Sequence, residues 1–155
     1  APLFETHAIH RFVVQHLRNK HVGRCGLHVG DAAQTAMAAS LRYEPIKNLY
    51  IKAQLQYFDR YYSNFDPFTL QGADGGRDSW KMPAYTLLNL FAGYKIPFKS
   101  FSLLTTGTIT NALNTKYISD ATNNANDIYN NFDAKSATVM FGGGFRFNLS
   151  LAIQF

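Results

Sequence analysis

Phe145-Arg146-Phe147-Asn148-Leu149-Ser150-Leu151-Ala152-Ile153-Gln154-Phe155 is the stretch that decides the fold. Phe145, Phe147, Leu149, Leu151, Ile153 and Phe155 alternate with Arg146, Asn148, Ser150, Ala152 and Gln154 without a break. Successive side chains of a strand point to opposite faces, so this pattern puts one whole face in an apolar medium and the other in a polar one.

Four upstream segments carry the same period. In residues 33–44, Thr35, Met37, Ala39, Leu41 and Tyr43 alternate with Gln34, Ala36, Ala38, Ser40 and Arg42. In residues 49–63, Leu49, Ile51, Ala53, Leu55 and Tyr57 oppose Tyr50, Lys52, Gln54, Gln56, Phe58, Arg60 and Tyr62. Residues 84–95 set Leu88, Leu90, Ala92 and Tyr94 against Asn89, Phe91, Gly93 and Lys95. Residues 101–112 set Phe101, Leu103 and Ile109 against Ser102, Thr106, Thr108 and Thr110, with Leu104 out of step. The connections alternate as well. Residues 44–48 and 96–100 are short and contain Pro45 and Pro97, whereas residues 64–83 and 113–136 are long and polar. That is a meander with tight turns at one end and elaborated loops at the other.

Strand length separates a soluble sheet from a membrane wall. Soluble strands run about five or six residues, and a tilted membrane-spanning strand needs about 9–11. All five segments reach the longer figure. Their aromatics fall at the ends: Tyr43, Tyr94, Phe101 and Phe155 near the short turns, Tyr57 and Tyr61 toward the long loops. Amphipathic rings sit at headgroup level in membrane barrels, so these positions read as an interfacial girdle. The expected fold is an all-β antiparallel meander of about five long strands, part of a transmembrane β-barrel. The alternative is a soluble β-barrel or sandwich binding an apolar small molecule.

Composition agrees with a wall. Of 155 residues, 16% are charged and 15% aromatic, against roughly 25% charged in an ordinary soluble domain. This balance argues against disorder. The mean hydropathy of −0.17 is what an alternating wall averages to. The net charge of +5 is spread along the chain rather than clustered, which argues against a nucleic-acid partner.

Residues 1–31 differ from the rest. They hold all five histidines and the single cysteine, Cys25. Ile9, Phe12, Val13 and Leu17 recur at roughly helical spacing, which predicts a short amphipathic helix. His7-x-x-His10 and Cys25-x-x-His28 have spacings that some metal sites use, but no supporting frame of turns accompanies them, so no metal is assigned. The segment reads as an atypical N-terminal stretch outside native barrel sequence, with residues 32–155 as the strands.

Three stretches in the remainder are familiar. Trp80-Lys81-Met82-Pro83-Ala84-Tyr85 and the strand it leads into is similar to a "W-x-(L/M)-P-x-Y" pattern. Ile109-Thr110-Asn111-Ala112-Leu113-Asn114-Thr115-Lys116-Tyr117 is similar to an "N-x-x-N-L-F-(D/N)-x-x-Y" strand exit, with Thr108 in place of the first Asn and Ala112-Leu113 in place of Leu-Phe. Phe141-Gly142-Gly143-Gly144-Phe145-Arg146-Phe147 is similar to a final-strand lead-in. In order and spacing they resemble the C-terminal part of TonB-dependent outer-membrane receptors, best in the version found in Bacteroidetes-like bacteria.

The resemblance implies a many-stranded barrel around a plug, placed in the outer membrane and taking up a scarce ligand with energy delivered through TonB. It implies outer-membrane lipid, the rest of the barrel and plug, and the barrel-assembly machinery as partners, TonB acting through a part absent from this sequence. Five strands cannot close a barrel, so the chain is expected to be a fragment of a larger one. Short turns would face the periplasm and long loops the outside. Phe147, Leu149, Leu151, Ile153 and Phe155 resemble the signal by which the assembly machinery takes hold of the last strand, through edge pairing.

Arg60, Tyr62 and Trp80, with Phe65 and Phe68 nearby, place a cation beside aromatics, which suits an anionic chelate, a sugar ring or a peptide. No enzyme constellation is present. Gly142-Gly143-Gly144 opens a strand rather than joining a strand to a helix, there is no Gly-x-Ser-x-Gly, and the acids form no matched inward pair. No cofactor is implied.

Overall fold

The computed structural model describes residues 9–15 (as backbone), 30, 33–64, 78–123, 134–135 and 137–155. The described residues are all-β. The strands are β1 (Ile9–Gln15), β2 (Thr35–Ile46), β3 (Leu49–Asp59), β4 (Tyr61–Tyr62), β5 (Lys81–Met82), β6 (Tyr85–Pro97), β7 (Ser102–Thr110), β8 (Ile118–Asn123), β9 (Ala137–Phe141) and β10 (Arg146–Gln154). Six form one antiparallel sheet in the order β1-β2-β3-β6-β7-β10. The sheet is open, with β1 and β10 at its edges. β4 pairs with β5, and β8 with β9, as two-stranded additions in the long connections.

One expectation is corrected. Residues Ile9–Gln15 form a strand, not a helix, and pair with β2 from Ile9↔Arg42 to Gln15↔Ala36. The β-branched and aromatic run Phe12-Val13-Val14 favours a pleated backbone, and the edge of β2 supplies hydrogen bonds that a short isolated helix would have to find within itself. The sheet therefore has six strands rather than five and takes in part of the atypical N-terminal stretch.

Register joins the separate alternations into two continuous faces. Met37↔Tyr57, Ala39↔Leu55 and Tyr43↔Ile51 link β2 to β3, and Ile51↔Ala92 and Leu55↔Leu88 link β3 to β6. Leu90↔Ile109 and Ile96↔Leu103 carry the row to β7, and Ile109↔Phe147 and Leu103↔Ile153 carry it to β10. From β2 to β10 the only charged residue on this apolar face is Asp59, at its loop end. The opposite face holds Arg42, Lys52, Gln54, Gln56, Asn89, Thr106, Thr108 and Asn148. Leu104, out of step in the sequence, lies on this polar face opposite Lys95 and Ala152.

Nothing among the described residues packs on the apolar face. Met37, Leu41, Tyr43, Ile51, Leu55, Tyr94, Phe147, Leu149, Leu151 and Ile153 are all exposed, from 37% to 75%. Covering what they leave open is worth roughly 1 kcal/mol apiece, on the order of 10 kcal/mol together. That matches the whole stability margin of a typical domain, about 5–15 kcal/mol. Among the described residues the buried hydrophobic ones are Met82 and Ala121, in β5 and β8 at the loop end.

The polar face is held by its own contacts. Asn89 Nδ2 donates to Gln56 Oε1 at 3.0 Å. The Arg42 guanidinium lies 4.3 Å from the Tyr50 ring centre, and Lys52 Nζ 5.3 Å from that of Phe91. Tyr50 lies over its register partner Gly93, where an added Cβ would come within 2.3 Å of the ring, so glycine lets the ring rest there undisplaced. At the short turn Lys47-Asn48, Asn48 has φ 67°, a conformation asparagine tolerates.

Candidate functional site

Two surfaces are candidates: the loop end, and the apolar face with its rims. At the loop end β3 stops at Asp59 because Arg60 adopts φ 53°. The alternation expected to run to residue 63 restarts there as β4. Arg60 Nε donates to Thr35 Oγ1 at 2.8 Å, its Nη2 reaches the Gln34 carbonyl at 3.5 Å, and the Gln34 N–H donates to the Arg60 carbonyl. Asp59 Oδ1 accepts from the Arg60 N–H at 2.6 Å and is 3.0 Å from Lys81 Nζ. The Arg60 side chain thus clamps the start of β2, half-buried.

The backbones around Tyr62 and Trp80 adjoin: Tyr62 pairs with Lys81, and the Ser63 N–H donates to the Trp80 carbonyl at 2.9 Å. Ser79 Oγ donates to the Ser63 carbonyl at 2.7 Å, and both serines are buried. The Asn64 N–H donates to the Ala121 carbonyl at 2.7 Å, tying this platform to β8. Phe65 and Phe68 lie outside the described residues, as do His7, Cys25 and His28. Among the described residues no group of His, Cys, Asp or Glu could hold a metal ion.

A second cluster escaped sequence reasoning. Asn111 is buried with φ 51° and uses every polar atom. Its N–H donates to Asn89 Oδ1 at 3.0 Å, and its Nδ2 donates to the carbonyls of Thr115 and Gly143 at 2.9 and 3.0 Å. Its Oδ1 accepts from the Thr115 N–H at 2.9 Å. Asn114 Oδ1 accepts from the Phe145 N–H at 3.1 Å, fixing the start of β10. Tyr117 stacks on Tyr85 with centroids 4.4 Å apart, and Tyr85 on Phe58 at 5.0 Å. A Cβ at Gly142 would fall 2.0 Å from the Tyr117 ring, so a larger residue there would push that ring out of its place. The three stretches that carry the family resemblance meet here, through Asn89, Asn111 and Gly143. The signal was in the sequence as asparagines at a strand exit followed by a glycine triplet, but their convergence was not.

The girdle residues divide. Tyr43 and Tyr94 are exposed on the apolar face near the short turns, and Tyr57 stands on the same face at the other end, half-buried. Phe101 stacks on Phe98 at 4.6 Å and lies 6.4 Å from Phe155. Tyr61 lies beyond the break at Arg60, in β4. Phe147, Leu149, Leu151 and Ile153 form one exposed row on β10, with Phe155 fully exposed just beyond the strand.

Among the described residues no helix is long and apolar enough to cross a membrane, which leaves crossing by strands untouched. No protein-family model, curated protein or solved structure matches the chain.

Proposed function

We propose that this chain is wall of an outer-membrane β-barrel of the TonB-dependent receptor kind, its apolar face against lipid and its polar face toward an aqueous lumen. One observation carries the reading: an apolar row that continues across the sheet with no second layer over it among the described residues. The strand lengths support it. β2, β3 and β6 have 12, 11 and 13 residues, and β7 and β10 have 9 each. Eleven residues at about 3.3 Å rise span roughly 36 Å. Tilted by about 40°, that covers the apolar band of roughly 25 Å found in such barrels. The soluble alternative needs the same row to close over a dry interior, and the buried hydrophobic residues lie elsewhere.

In this reading further strands of the same barrel pair with β1 and β10, because an open edge needs a partner; for the isolated chain in a membrane, a second copy supplies it. The row from Phe147 to Phe155 serves as the grip for barrel assembly. The loop platform around Tyr62 and Trp80 faces the outside and contributes to recognition of a scarce ligand, a metal chelate, oligosaccharide or peptide. No catalytic step is assigned. The test is the solvent requirement of the purified chain. Strand circular dichroism with a cooperative unfolding transition should develop in detergent micelles or lipid vesicles and not in plain buffer. A monomer that folds cooperatively in plain buffer would contradict the reading.

A further inference from the structure

We infer that the rim at the short-turn end binds the headgroup of an anionic phospholipid; the inference rests on the membrane reading above. An open recess of about 650 Å³ lies between the β6–β7 turn and the end of β10. Its cations are Lys95 and Lys99, and no acidic residue lines it. Lys95 Nζ donates to Gln154 Oε1 at 3.1 Å, which steers the ammonium toward the end of β10 and leaves it two further protons to donate. Beside these cations Phe98, Phe101 and Phe155 are exposed, the first two stacked at 4.6 Å.

The pairing of charge with open rings selects the occupant. A free inorganic anion would use the lysines and leave the rings in water. A lipid uses both: its phosphate meets the ammonium groups while its glycerol and upper acyl region cover the rings. Interfacial aromatics and basic recesses act in this way at membrane surfaces. The position fits, because Phe101 and Phe155 extend the apolar register of β7 and β10, whereas Lys95 and Gln154 belong to the polar one. The recess is where the two faces meet.

The test uses the whole chain with Trp80→Phe and Phe98→Trp, reconstituted in phosphatidylcholine vesicles. Quenching of the new indole by brominated phosphatidylglycerol is compared with quenching by brominated phosphatidylcholine at equal mole fraction. The expected result is a preference for phosphatidylglycerol of about fivefold or more, since each lysine near an anionic headgroup contributes roughly fivefold. Lys95→Gln with Lys99→Gln should abolish the preference, and the paired Arg variants should keep it. Equal quenching by the two lipids, or a preference that survives the Gln variants, overturns the inference while leaving the membrane reading intact. Displacement of the preference by millimolar inorganic phosphate overturns it too, because the recess would then be a simple anion site. A chain that does not enter neutral vesicles at all overturns both.

Discussion

The two ends of each long strand live by different rules. At the loop end Ser63, Ser79, Met82, Asn111 and Ala121 are buried, and their polar groups are bonded to one another and to the backbone. Among the described side chains in the body of the sheet, no large hydrophobic residue is buried. The loop end supplies its own interior. The sheet body borrows its interior from whatever lies against it, so a substitution on its apolar face should be felt only through the surrounding medium.

The largest effect should follow from charge at mid-strand. Leu55→Arg on the apolar face is expected to cost about 2–4 kcal/mol of folding free energy in vesicles, the range for Arg near a bilayer midplane. Gln54→Arg, one residue away on the polar face, should stay within about 0.5 kcal/mol. Urea titration in vesicles reads both, and equal losses would erase the distinction between the faces.

Asn111→Ala comes next. It takes a partner from the Gly143 carbonyl and from both backbone groups of Thr115, but these are only half-buried and water replaces part of what is lost, so the expected cost is about 1–2 kcal/mol. The loss should be the same in micelles and in vesicles, because the loop end does not depend on lipid. A loss that changed with the medium would break the comparison from the other side.

The smallest effect worth measuring is Gly93→Ala. The new methyl displaces only the Tyr50 ring, so the expected cost is about 1 kcal/mol. In a Tyr50→Ala background that cost should vanish, which a double-mutant cycle detects.

Much of the sheet was legible in the sequence because period-two alternation is a direct imprint of two solvents on one ribbon. The odd row of β2 and β3, the even row of β6, and the odd rows of β7 and β10 were separable before any register was known. β1 was misread because Ile9, Phe12, Val13 and Leu17 fit a helix as well as a strand when the partner is not visible. β8 and β9 were hidden in a connection read only as long and polar: Ile-Ser-Asp-Ala-Thr-Asn is too short and polar to announce a strand, and it is held by its partner Ala137–Phe141 and by Asn64. The break at Arg60 was illegible because arginine carries no preference for positive φ; the contacts to Thr35, Gln34 and Asp59 hold it there. Of the loop site, only the placing of residues 60–62 and Trp80 at one end of the sheet was readable, whereas the Asn111 cluster depends on segments 32 residues apart meeting in space.

The central claim is that hydrocarbon bathes one face and water the other. In the Trp80→Phe chain, a tryptophan placed at Leu55 and another placed at Gln54 report the two sides at the same depth. Lipids brominated along the acyl chain should strongly quench the indole at residue 55 and leave that at residue 54 nearly unchanged, while aqueous iodide should do the reverse. Quenching of both by iodide, or of neither by the brominated lipid, would contradict the account.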